Sequence, residues 1–212
     1  MNTPQKLNKI FHVLLETFGP RNWWPGETPL EVIIGAVLTQ NTSWKNVERA
    51  IRNLKTKKHL DIKKLYDIAP SLLAEIIRPA GYFNIKARRL KNVITVLYEH
   101  YNGNIERLSS LGVQELRSIL LAINGIGPET ADSIMLYALN KPVFVVDAYT
   151  KRFLKNHRLF NGDGYKDCQD YFMKNLPADV YLYNEFHALI VFLCQRYCKK
   201  TPICHECPLK NV

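Results

Sequence analysis

Apolar residues recur at three- and four-residue spacing along most of this chain, and the pattern is broken at short intervals by Gly, Pro, Asn and Asp. That period keeps one side chain per turn on the same face of an α-helix, whereas few segments alternate as half-buried strands do. An all-α fold is therefore expected. Thr28-Pro29-Leu30-Glu31 offers an N-cap, a proline at the first helical position and a glutamate at the third, so a helix is predicted from there to about Thr39. Thr42 can cap the next, over about 43–55. Further helices are predicted at about 61–67, 70–78, 84–101, 105–109, 113–121, 128–139, 148–156, 165–175 and 180–197. The first residues, MNTPQKLNKIFHVLLETFG, read as an amphipathic helix without a signal-type cleavage site. With no repeat or low-complexity linker, any second domain has to be built from the two ends of the chain.

A chain of 212 residues that is 47% hydrophobic suffices for one large domain or two small ones. Lys plus Arg number 29 against 19 Asp plus Glu, and a net charge of +10 favours a polyanionic partner, either nucleic acid or an anionic membrane surface. No apolar run approaches the roughly 18 residues of a spanning helix. The balance favours nucleic acid, a cytosolic protein with no membrane partner, and no obligate oligomer, so a monomer is expected. In that compartment the five cysteines are read as metal ligands or free thiols rather than disulfides.

Two stretches carry chemistry. In Ile123-Asn124-Gly125-Ile126-Gly127-Pro128-Glu129-Thr130-Ala131, Gly125 and Gly127 flank one apolar residue just before a helix start. Such glycines permit a tight turn and close backbone approach, and the first amides of the following helix are free to meet phosphate, although φ > 0 alone explains many glycine turns. Twenty residues past Gly127 stands Asp147, after the apolar segment Pro142-Val143-Phe144-Val145-Val146. Taken alone it is an N-cap for the helix from Ala148.

Together these segments resemble the helix-hairpin-helix DNA glycosylases of the endonuclease III superfamily. Leu116 to Ile126 followed by Gly127-x-x-Thr130-Ala131 looks like the hairpin, and the apolar segment leading to Asp147 lies where that family has it. "EVIIGAVLTQNTSW", "AGYFNIKARRL" and "FHALIVF" before a cysteine cluster extend the likeness over almost the whole chain. The resemblance implies a six-helix barrel domain at 28–139, a terminal helical domain of 1–27 with 140–212, and double-stranded DNA containing a damaged base bound in a cleft between them.

It also implies roles. Asp147 would stabilise positive charge developing on the deoxyribose and orient a water for attack at C1′. Bifunctional members carry a lysine two residues after the second hairpin glycine, where this chain has Glu129. A carboxylate forms no imine, so a monofunctional glycosylase is expected, with Glu129 either in the base pocket or a first-turn acid favoured by the helix dipole. Trp23-Trp24-Pro25 and Trp44, together with the glutamate, resemble the 3-methyladenine DNA glycosylase branch. Trp24, Pro25 and Trp44 would then stack on a flipped cationic base, unless the tryptophans only fill a domain seam. Gln40 would occupy the gap left in the duplex, Tyr82 of the loop 80–84 would add an aromatic wedge against the opposite strand, and Gly125, Gly127, Thr130 and Lys151 would meet the DNA backbone. Lys86, Arg88, Arg89 and Lys91, like Lys151 and Arg152, could hold phosphates or simply form solvated faces. A glycosylase for uracil or mismatched thymine, and a non-catalytic DNA-binding damage sensor, are the competing readings.

Cys194-x3-Cys198-x5-Cys204-x2-Cys207 places four cysteines within fourteen residues. Family members commonly hold a [4Fe–4S] cluster with the spacing C-x6-C-x2-C-x5-C. This chain has five residues between Cys198 and Cys204, keeps the C-x2-C pair, and reaches Val212 just before the position of a fourth ligand. Cys194 as fourth ligand, an incomplete cluster, and zinc with His205 all remain open. Cys168 stands apart and reads as a small core residue.

Overall fold

The computed structural model describes all of residues 1–212 and contains only helices, turns and loops. None of its helices is long and apolar enough to cross a membrane. The chain divides into two compact units, Trp24–Lys141 and Met1–Trp23 with Pro142–Val212.

The first unit is built around α2 (Pro29–Leu38), in which every residue from Glu31 to Leu38 is buried. A helix apolar on all sides has to be enclosed by others, and α2 packs on α3 (Trp44–Thr56), α6 (Phe83–Tyr101) and α9 (Pro128–Ser133). Between them run α4 (Ile62–Asp67), α5 (Pro70–Ile76), a 3-10 turn at Arg78–Ala80, α7 (Ile105–Ser109) and α8 (Val113–Ala122). The predicted helix at 128–139 is interrupted, because α9 gives way to a π turn over Ile134–Ala138.

Capping departs from expectation in two places. Thr28 Oγ1 accepts from the Glu31 amide at 3.2 Å, as a capping threonine should. The buried Glu31 carboxylate, however, takes the Glu27 amide at 3.3 Å and Lys55 Nζ at 2.9 Å, which ties α2 to α3. Thr42 does not cap α3 either. Ser43 holds the N-cap position without a side-chain cap bond, and Thr42 Oγ1 accepts from Asn46 Nδ2 at 3.3 Å.

The second unit packs α1 (Thr3–Phe18), α10 (Ala148–Asn156), α11 (Tyr165–Asn175) and α12 (Val180–Arg196) around an aromatic core. Phe144 stacks on Phe172 at 4.0 Å between centroids, and Phe186 meets both rings edge-on. Each such buried side chain contributes about 1.5–3 kcal/mol. Glu185 of α12 is buried and accepts the amides of Arg21 at 2.7 Å and Asn22 at 2.8 Å. That clamp fixes α12 against the segment leaving α1.

Candidate active site

In the unit Trp24–Lys141, α8 and α9 form the glycine-bearing hairpin. Arg117 of α8 donates through Nε to Asp132 Oδ1 at 2.8 Å and through an Nη to Oδ2 at 3.1 Å, with Asp132 fully buried. A bidentate pair of this kind fixes orientation as well as distance. Gly125 is structurally required. Its φ is +92°, and a Cβ there would come within 2.4 Å of Arg89 Cγ. Gly127 is different, because its φ is −92° and a Cβ would point into open space. Sterics inside the chain do not demand a glycine there, so the open face is available to another backbone.

Gln40 is held by this hairpin. Its Nε2 donates to the Gly125 carbonyl at 3.2 Å and to Thr130 Oγ1 at 2.9 Å, while its Oε1 accepts from Arg89. Both ends of the amide are therefore engaged inside the unit. Tyr82 is the opposite case: it is 70% exposed and left-handed at φ +46°, a conformation that costs a bulky residue about 1 kcal/mol or more. Ile85, one turn further along, is also exposed.

Of the basic run on α6, only Arg88 is fully solvent-facing. Lys86 is buried and donates to the Ala80 carbonyl at 2.7 Å, and burial beside Arg89 lowers its pKa to about 8. Lys91 donates to the carbonyls of Leu65, Tyr66 and Ile68 at the end of α4. The solvated-face reading thus fails for Lys86 and Lys91, whose amines complete backbone carbonyls instead.

Trp24 and Trp44 meet edge-on at 5.1 Å, and Trp24 also lies 5.4 Å from the ring of Tyr137. Gly35 makes room for this group, since a Cβ there would be 3.0 Å from the Trp24 indole nitrogen. All three rings are only half-buried, while Pro25 and Glu129 are exposed. Tyr137 sits on the π turn and had no signature in the sequence.

In the other unit, Asp147 caps α10. Its Oδ1 accepts from the Thr150 amide at 2.7 Å and from Thr150 Oγ1 at 2.9 Å. Its Oδ2 lies 3.7 Å from His187 Nε2, a residue of α12 that sequence reasoning missed because forty positions separate the two. Burial works against the charged carboxyl, but the His187 imidazole and the two Thr150 donors outweigh it and hold the pKa below the ordinary aspartate value. Lys151 and Arg152 follow on the same helix, half-buried. Arg152 Nε donates to the Cys198 carbonyl at 2.7 Å, which ties α10 to the cysteine segment.

Within that segment the Cys194 thiol, next to Cys198, donates to the Tyr149 carbonyl at 3.5 Å. The Cys194 thiol, with the Asn156 amide 3.2 Å from Cys198 Sγ and His157 nearby, favours the Cys198 thiolate, while the neighbouring Cys198 and burial raise the Cys194 pKa. Cys207 is buried and Cys204 exposed, and no three Cys, His, Asp or Glu side chains of the chain converge as metal-holding donors. The thiols suit a soft metal chemically, but as arranged they do not form a cluster cradle. His205 instead pairs with Glu206 at 3.2 Å on the surface. Cys168 is a core residue whose thiol lies 3.5 Å from the Gly162 carbonyl.

Residues 34–178 match the HhH-GPD superfamily base excision DNA repair protein model. A protein of Methanocaldococcus jannaschii, itself a DNA repair glycosylase by inference only, is 49% identical over 99% of this chain and 96% of its own length. The endonuclease III of Sulfolobus acidocaldarius is 30% identical over 84% of this chain and 78% of its own. Among solved structures, the H. pylori 3-methyladenine DNA glycosylase bound to 1,N6-ethenoadenine superposes with a TM-score of 0.78 at 31% identity, covering 90% of this chain and 96% of that one.

Proposed function

Because the chain belongs to the HhH-GPD superfamily of base excision repair DNA glycosylases, we propose that it is a monofunctional member that hydrolyses the N-glycosidic bond of an alkylated purine. The observation that carries this reading is the divided Asp147 carboxylate. One oxygen is spent on capping α10, which fixes the side chain, and the other stays ionised beside a histidine. An ionised oxygen held rigidly in place stabilises an oxocarbenium-like sugar without having to reorganise, and can orient the attacking water.

The absence of a hairpin amine supports hydrolysis without strand cleavage. Glu129 stands on the first turn of α9, and the carboxylate forms no imine with the opened sugar. The half-exposed rings of Trp24 and Trp44 support the base class, because a cationic alkylated purine gains from aromatic faces where a neutral base gains less. Pro25 and Glu129 would border that pocket. Tyr82 would fill the gap left by the flipped base, with Gln40 setting the hairpin rather than entering the duplex. Gly125, Gly127, Thr130 and Lys151 would face the DNA backbone. We assign the cysteine segment no chemical step, since hydrolysis moves no electron. The four cysteines supply the thiolates a [4Fe–4S] cluster takes, but because they do not converge in this arrangement no cluster is part of this reading.

A second reading is excision of uracil or mismatched thymine, in which the half-buried rings of Trp24, Trp44 and Tyr137 would stack on a neutral pyrimidine. Chromatography of bases released from methylated DNA and from uracil- and thymine-mismatch duplexes separates the readings, with Asp147→Asn alongside. Free 3-methyladenine from the wild type only is expected. Release of pyrimidine alone would replace the first reading with the second, and no release from any substrate would leave a binding protein.

A further inference from the structure

Asp147 Oδ1 accepts both Thr150 donors, so the cap anchors the carboxylate through one oxygen and leaves the direction of the other to a second contact. What sets the direction of Oδ2 has to come from elsewhere. His187 is the group in position: its Nε2 is 3.7 Å from Oδ2, and the side chains are only 8% and 16% exposed. The imidazole ring is itself confined. Phe144 meets it edge-on at 6.4 Å, and the α12 turn that carries it is anchored by the neighbouring Glu185 clamp on Arg21 and Asn22. At this burial the attraction between imidazole and carboxylate is weakly screened.

We propose that His187 is a positioning residue for catalysis, fixing the second oxygen of Asp147 toward the reacting sugar through the imidazole N–H. This inference rests on Asp147 acting as described above. It also accounts for how a carboxylate enclosed to this degree stays below the ordinary aspartate pKa, since the Thr150 donors reach only one of its oxygens. His187 is assigned no contact with DNA.

The test compares His187→Gln, which keeps an N–H donor at about the same reach, with His187→Leu, which keeps the bulk and removes the donor. Single-turnover base release, affinity for duplex carrying an abasic-site analogue, and urea unfolding are measured for each, with Asp147→Asn and its double variant with His187→Leu completing a cycle. Loss of about 10²-fold in rate is expected for His187→Leu, with affinity within about twofold and His187→Gln within about threefold of wild type. The unfolding effects of Asp147→Asn and His187→Leu should be non-additive. Equal rates for Leu and Gln, whether both fast or both slow, or additive unfolding effects, would overturn the inference. A non-additive cycle in a protein that releases no base would uphold the pairing while refuting the proposed function, so the two failures are told apart.

Discussion

Replacing Lys86 by methionine should change the pH dependence of stability in a way fixed by the burial of its amine. Lys86 is 1% exposed, and its pKa falls from 10.5 to about 8. Below pH 8 the folded and unfolded chains both carry the proton, and the folded state holds it less tightly by about 3 kcal/mol. That penalty is present at pH 7. As pH rises from 8 toward 10.5 the unfolded chain binds more protons than the folded one, so this site's contribution to stability rises. Methionine has no proton to lose and forgoes the bond to the Ala80 carbonyl, a loss of about 1–3 kcal/mol. The variant should therefore be more stable than wild type by about 0–2 kcal/mol at pH 7 and less stable by about 0–2 kcal/mol near pH 10, where about 0.8 kcal/mol of the penalty is still present. Urea unfolding of both proteins from pH 7 to 10 gives the difference directly, and groups common to both cancel. A difference that does not change with pH would refute the reasoning. Excision should fall independently of stability, because the Ala80 carbonyl that Lys86 tethers lies two residues before Tyr82.

Three further outcomes are expected. Gly125→Ala should destabilise by about 1–3 kcal/mol, through its positive φ and the clash with Arg89, whereas Gly127→Ala should unfold within about 0.5 kcal/mol of wild type yet bind abasic-analogue duplex more weakly. Equal affinity for Gly127→Ala and wild type would remove that turn from the DNA contact. Borohydride treatment during turnover should trap no covalent protein–DNA adduct, and a trapped species on denaturing gels would refute hydrolysis without an imine. Tyr82→Gly should leave thermal stability unchanged or slightly raised, since it relieves a left-handed tyrosine, while slowing excision about tenfold or more in single turnover. An unchanged excision rate would remove Tyr82 from the flipping step.

The secondary structure was legible because its determinants are local. Thr28-Pro29 starts α2 and Asp147 starts α10 through contacts that span three residues or fewer, and a spacing of three and four separates core from solvent along each helix. Where local signals competed, the reading slipped. Thr42 and Ser43 are both good caps, and it is Ser43 that holds the position, without a side-chain cap bond. The break of α9 into a π turn likewise has no glycine or proline to announce it.

The site divides in the same way. Residue chemistry at short range, meaning the hairpin glycines, a glutamate without an amine and an aspartate after an apolar segment, was set by the sequence alone, as were the all-α class and the basic charge. Partnerships across the chain were decided by packing. Nothing near Gln40 in the sequence shows that Arg89 and the hairpin, 49 and 85–90 positions away, engage both ends of its amide. Lys91 belongs to a solvated face until the carbonyls of α4 arrive beside it. His187 has no meaning next to its own neighbours and acquires one only where α12 brings it to Asp147. Local propensity and side-chain chemistry are properties of short peptides, but the satisfaction of a buried polar group depends on which distant backbone or side chain the fold sets against it.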